Sequence, residues 1–223
     1  SPDDLWNKRK GIYSNFENRE IEAPAHVEYF DTTNTGLLKL AISKSATTRI
    51  AGKTSRRQPK KSFSFFATNE DGLGQRFNYP IFRDKEIEDF GGLWVRADAT
   101  SGRNVSELWV GERFKNELLY EVNRQMNGQV DMQAYEPVSV FLNGQYWGLY
   151  NLMERKGKDF IFNNHGETEV DILTSSDAKA VSGNISEYDQ MIFYIAQNDI
   201  TQNYIYQEIL NQIHVDSYID YWV

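Results

Sequence analysis

The stretch Gly52-Lys53-Thr54-Ser55-Arg56-Arg57-Gln58-Pro59-Lys60-Lys61-Ser62-Phe63 places five basic residues in nine positions of a chain whose formal net charge is -8. Like charges at that density repel one another, so either water solvates them or an anion neutralises them. The block is therefore a solvated strand entry, of the kind lysines provide at sheet edges, or an anion site. After Pro59, Ser62-Phe63-Ser64-Phe65-Phe66 alternates polar and aromatic residues as a half-buried strand does. The two-residue period puts Lys61 with Phe63 on one face and Lys60 with Ser62 on the other, so one lysine is expected to be held over the sheet. Ala51-Gly52-Lys53-Thr54 mimics the end of a phosphate loop, but Thr47 stands where that motif needs its first glycine. Without it the backbone cradle for phosphates cannot form.

Composition narrows the chemistry further. The 223 residues, 40% hydrophobic and 25% charged, suffice for one large domain or two small lobes. An acidic total with a single basic cluster argues against a general nucleic-acid binder and fits a small anionic ligand better. The absence of cysteine excludes disulfides, thiol nucleophiles and thiolate-bound metals. His26, His165 and His214 are far apart and lack metal-ligand spacing, so they are assigned to surface or capping positions and no metal ligands are named. No apolar run approaches the roughly 20 residues that span a bilayer, and no signal-peptide pattern is visible.

These side chains need elements to hold them. Val27-Glu28-Tyr29-Phe30, the turn-rich Asp31 to Gly36 and Leu37 to Ile42 read as a hairpin, and Leu93-Trp94-Val95-Arg96 as a further strand. Val110, Phe114, Leu118, Val122 and Met126, with Leu119 beside them, recur every fourth residue. They predict a helix over about 105–126 that packs this stripe against the sheet. Asn143-Gly144 between alternating runs predicts a two-residue turn in a hairpin over 138–152, with Val140 opposite Trp147 and Phe141 opposite Tyr146. The remainder is helical by pattern: Tyr188, Ile192 and Ile195 form one stripe, Ile205, Ile209 and Ile213 another, and Asp216 is expected to cap a third helix carrying Tyr218, Ile219 and Trp222. That apolar pattern is still running at Val223, which leads us to expect further protein beyond it. The expected fold class is α+β: a mainly antiparallel sheet lobe with one packed helix over 1–155, then a helical segment over 156–223 that begins a second lobe.

Four separated segments, Lys10-Gly11-Ile12-Tyr13-Ser14-Asn15, Gly52 to Phe63, Tyr79-Pro80-Ile81-Phe82 and Pro137 to Arg155, occur together in the order found in the CotH family, which the chain resembles. The family is named for a spore coat protein and regarded as atypical protein kinases, secreted or coat-associated. The resemblance implies ATP-dependent phosphorylation of Ser or Thr in a protein substrate, with Mg²⁺ or Mn²⁺ as the metal and a secreted, cell-surface or spore-coat location. Phosphoryl transfer asks for cations on the triphosphate, a metal held by carboxylates and a positioned base. By resemblance, Lys61 or Lys60 pairs the α and β phosphates, Arg56 and Arg57 add phosphate contacts, and Glu154 or Glu117 orients the lysine. Arg96, Asp98 and Arg113 occupy a polar cluster that this chain fills only partly, since Ala97-Asp98-Ala99 replaces a fuller set. Glu154-Arg155-Lys156-Gly157 also departs from the family's Glu-Arg-Ile-Asp, so the role of that aspartate cannot be carried over. The family's catalytic and metal-binding aspartates are expected downstream of Val223, which would leave these residues inactive alone. The alternative is a non-catalytic surface, adhesion or coat module on the same scaffold, with aromatics such as Trp94, Trp109, Trp147 and Tyr146 lining a carbohydrate face.

Overall fold

Ala23–Thr32 (β1) alternates exposed with less exposed side chains, Leu38–Ala51 (β2) buries Ile42, Ala46, Thr48 and Ile50 on one face, and Ser62–Ala67 (β3) is buried or half-buried throughout, the pattern of an outer strand leading to an inner one of a sheet. The computed structural model describes residues 1–33, 35–68, 75–97, 103–105, 108–110, 114–174 and 178–222, and side chains over 101–113 are not described. The fold is α+β, and the chain divides into two units: Ser1–Glu117 with Gln133–Arg155, and Leu118–Met132 with Lys156–Val223.

The first unit opens with a short helix, Pro2–Trp6 (α1), capped by Ser1. After β3 come Phe77–Asn78 (β4), Asp89–Phe90 (β5), Gly92–Arg96 (β6), Arg103–Val105 (β7) and Leu108–Val110 (β8). Helix Lys115–Gln125 (α2) begins in this unit and continues in the other, and Tyr135–Leu142 (β9) and Gln145–Glu154 (β10) complete the first. Six strands form one antiparallel sheet in the order β1-β2-β3-β6-β10-β9. Cross-strand neighbours share a face. Ile50 faces Phe63, Phe63 faces Val95 and Val95 faces Leu152, so a continuous apolar row crosses four strands. Ile12, Tyr13, Phe77, Ile81, Phe82 and Phe90 cluster with that row. Gly11 lets the N-terminal segment turn into this core, because a side chain there would meet the backbone of Leu5 and Asn7 at 2.5–2.7 Å.

Two details depart from the periodicity. Strands β7 and β8 occupy positions assigned to the helix, which starts only at Lys115. On α2 the buried side chain is Glu117, while Leu118, Leu119, Val122 and Met126 are exposed. The buried position of this helix is thus a carboxylate rather than part of the apolar stripe, and within the first unit Glu117 accepts a hydrogen bond from Asn151 of β10. The second departure lies in the β9–β10 hairpin. Asn143 and Gly144 take φ values of 52 and 80°, as a two-residue turn requires, and Phe141 and Tyr146 pair with ring centroids 5.4 Å apart. Val140, however, lies opposite Gly148 and not Trp147, because Trp147 forms a bulge. A bulge shifts every later residue to the other face.

The second unit holds Lys158–His165 (α3), a small hairpin of Ile172–Thr174 (β11) and Lys179–Ser182 (β12), then Ser186–Gln197 (α4), Asn203–Leu210 (α5) and Val215–Trp222 (α6). Ile205 and Ile209 of α5 are buried as their spacing predicts. The cap of α6 is His214, whose Nδ1 accepts from Ser217 N at 3.2 Å; Asp216 sits in the first turn instead.

Candidate functional site

Five cations converge on the turn between β2 and β3, and most are answered from within the protein. Gly52 has φ 100°, and a single 3₁₀ turn over Thr54–Arg57 follows it. That geometry directs the buried Arg56 guanidinium at three carbonyls: Nε donates to Gly52 O at 2.6 Å, Nη1 to Phe16 O at 2.8 Å, and Nη2 to Ile50 O. Lys61 is buried too. Its Nζ donates to Arg56 O at 2.6 Å and Gln58 O at 3.1 Å, and lies 3.9 Å from the centroid of the Phe16 ring. Burial pulls the pKa of both groups below their ordinary values. Lys60 donates to Leu149 O and sits 4.1 Å over the Tyr150 ring, beside Gly148. Exposed Arg57 pairs with Glu17 at 3.3 Å. Carbonyl dipoles and ring faces therefore resolve the repulsion, a solution besides the two that charge density alone suggested.

The carboxylates expected to orient a lysine of this turn lie on opposite faces of the sheet. Glu154, 2% exposed, is on the apolar face and pairs with Lys85 at 2.5 Å. Its Oε2 also accepts from Ala134 N at 2.8 Å, while Gln133 Nε2 donates to its carbonyl at 2.5 Å. Lys85 was not foreseen, since Arg83-Asp84-Lys85-Glu86 has the composition of an ordinary surface loop. Glu117 lies on the polar face, where its Oε1 accepts from Asn151 Nδ2 at 2.7 Å.

That second contact belongs to a row. Asn151 pairs with Arg96, and the register continues from Phe63–Val95 to set Ser62 beside Arg96. Ser62 Oγ accepts from Ala97 N at 2.9 Å, holding the chain where it leaves β6. Ser62, Arg96, Asn151 and Glu117 thus bring a hydroxyl, a guanidinium, an amide and a buried carboxylate to one end of the sheet, on three strands and a helix. Lys60 and Lys61 enter β3 at the same end. The chemistry available there is recognition of an anion by a strand arginine, with a carboxylate from the neighbouring helix to fix the polar groups around it. Asn151 lies within the Pro137-to-Arg155 segment, and its face follows from the Trp147 bulge, which residue spacing does not give. Asp98 and Arg113 lie outside the described residues, as does the side chain of Trp109. Among the described residues no group of three or more His, Asp or Glu is placed to hold a metal ion.

Of the other aromatics, Trp147 Nε1 donates to Tyr13 Oη at 2.8 Å. Burial pushes the Tyr13 phenol up to about 12, and burial together with Asp31 does the same for Tyr29. An unfolded tyrosine ionises near pH 10, so between about pH 10 and 12 the unfolded chain gives up protons that the native state keeps. Stability is therefore expected to be unaffected by these groups below about pH 10 and to fall as pH rises through that window. Denaturation midpoints measured across alkaline pH should fall less steeply in Tyr13→Phe; an equal slope would show that Tyr13 titrates normally.

A family model described as CotH kinase protein matches residues 48–223. No curated protein matches the chain.

Proposed function

The chain belongs to the CotH kinase protein family, and from that premise we propose that it supplies the nucleotide-holding part of a domain that transfers the γ-phosphoryl group of ATP to Ser or Thr hydroxyls. The observation that carries this reading is the order strand cation, helix carboxylate, two-stranded hairpin: Arg96 ends β6, Glu117 is buried on α2, and Asn151 of β10 links the two rows. Protein kinases use a strand cation on the α and β phosphates and a helix glutamate to position it. In this reading Arg96 contacts the phosphates, and Glu117 acts through Asn151 as a positioning residue. Lys61 and Arg56 shape the basic turn, while Lys60 and Arg57 contribute positive potential at its rim. ATP arrives with Mg²⁺ or Mn²⁺, and the family's association with spore coats, secretion or the cell surface gives the proposed location. No described helix is long and apolar enough to cross a membrane.

Calorimetry of Mg²⁺-ATP binding tests the reading at moderate salt, where loose electrostatic attraction is screened. Arg96→Ala is expected to weaken binding about 10- to 100-fold, the range for losing a hydrogen bond to a charged group. Absence of binding by the unaltered chain, or unchanged affinity in Arg96→Ala, would defeat it. The Lys60→Ala/Lys61→Ala variant tells whether the basic turn contributes directly.

One observation favours a second reading, a non-catalytic surface module. Phe141 and Tyr146 are 60% and 55% exposed at the hairpin tip and form an aromatic platform of the kind that stacks on sugars. Polysaccharide binding lost in Tyr146→Ala, with no ATP binding, would support it.

A further inference from the structure

The outer edge of the six-stranded sheet is formed by β1, and its backbone polarity follows from its neighbours. Thr68 N donates to Ser45 O at 2.9 Å, so the odd-numbered backbone groups at this point of β2 face β3 and the even-numbered ones face β1. Ala46 pairs with Ala25 and Lys44 with Val27, so Ala25 and Val27 turn their N–H and C=O groups inward. Pro24, His26 and Glu28 turn theirs outward, which also accounts for a proline in the strand, since its missing donor falls on the unpaired side. No hydrogen bond joins this outer edge to another described element. The side chains of Pro24, His26, Glu28 and Phe30 are exposed on the same face, with Phe30 half exposed. A ten-residue strand with unpaired outward groups is a template for another strand.

We infer that β1 pairs with β1 of a second copy of this chain, antiparallel and centred on Val27. Complementarity selects this occupant and this register. Centring on Val27 sets His26 opposite Glu28 of the second copy, twice by symmetry, and Pro24 against Phe30. His26 and Glu28 both carry outward backbone groups, so each such pair exchanges two hydrogen bonds. The imidazole uses Nε2 on Ser43 Oγ at 2.9 Å, leaving Nδ1 for the carboxylate across the junction. Moving the centre to Glu28 would oppose the two glutamates, and moving it to His26 would oppose the two imidazoles. The result is one continuous sheet through both copies, with Phe30 covered.

Sedimentation across a range of protein concentrations tests this, with circular dichroism to verify folding. The unaltered chain is expected to show a concentration-dependent dimer. His26→Glu creates two like-charge cross-strand pairs and is expected to weaken dimerisation roughly tenfold or more. The double variant His26→Glu/Glu28→Lys replaces these with opposite-charge pairs only in the Val27-centred register, and is expected to recover the dimer. A monomer at every concentration, no effect of His26→Glu, or failure of the double variant to recover would each overturn the inference.

Discussion

Arg56→Ala is expected to lower the stability of the first unit by about 3–5 kcal/mol, since three acceptors lose their donor at about 1–3 kcal/mol for each that stays unsatisfied. The guanidinium satisfies carbonyls from three separate segments: Phe16 in the N-terminal stretch, Ile50 at the end of β2 and Gly52 in the turn. Its removal leaves those acceptors without a donor, the Ile50 carbonyl in a buried position. Arg56→Lys discriminates between charge and shape. One ammonium cannot span three diverging carbonyls, so lysine is expected to recover less than half of the loss. Chemical denaturation of the three proteins measures this directly. A loss below about 1 kcal/mol in Arg56→Ala would mean that the carbonyls find other partners.

The Lys85–Glu154 pair should give the second large effect. Glu154 is almost wholly enclosed and Lys85 mostly so, with side chains 3% and 19% exposed. Breaking such a pair from one side strands a charge, and Lys85→Met or Glu154→Gln alone is expected to cost about 3–5 kcal/mol. The double variant removes both charges and is expected to cost clearly less than the sum, with a coupling of about 2 kcal/mol or more. Additive losses would show that the Glu154 carboxylate is held chiefly by other contacts such as Ala134 N rather than by the ammonium. The pair also fastens the loop between β4 and β5 to the end of the hairpin, so the double variant should retain the sheet while loosening that loop.

Much of the sheet was legible in the chain. The Ser62-to-Phe66 alternation, the Leu93–Arg96 strand and the Asn143-Gly144 turn are local signals, each enforced within a few residues by sterics and by burial on one face. The α2 stripe was less informative. Apolar spacing shows that a helix has a greasy side, but the position actually buried is Glu117, which meets Asn151 through a hydrogen bond that spacing does not encode. Basic density likewise identified a special turn without revealing that Arg56 and Lys61 would find carbonyls inside it.

By itself, then, the amino-acid order determined the α+β class, the strands of the six-stranded sheet, the hairpin turn and the family. Tertiary structure decided which polar groups meet. The bulge at Trp147 turns Glu154 to the apolar face and Asn151 to the polar one, and Lys85 arrives at Glu154 from 69 residues away. The physical reason is one of range. Turn and strand preferences are settled by neighbouring atoms, whereas a buried charge takes whichever partner the assembled chain brings within about 3 Å, and sequence spacing does not encode that distance.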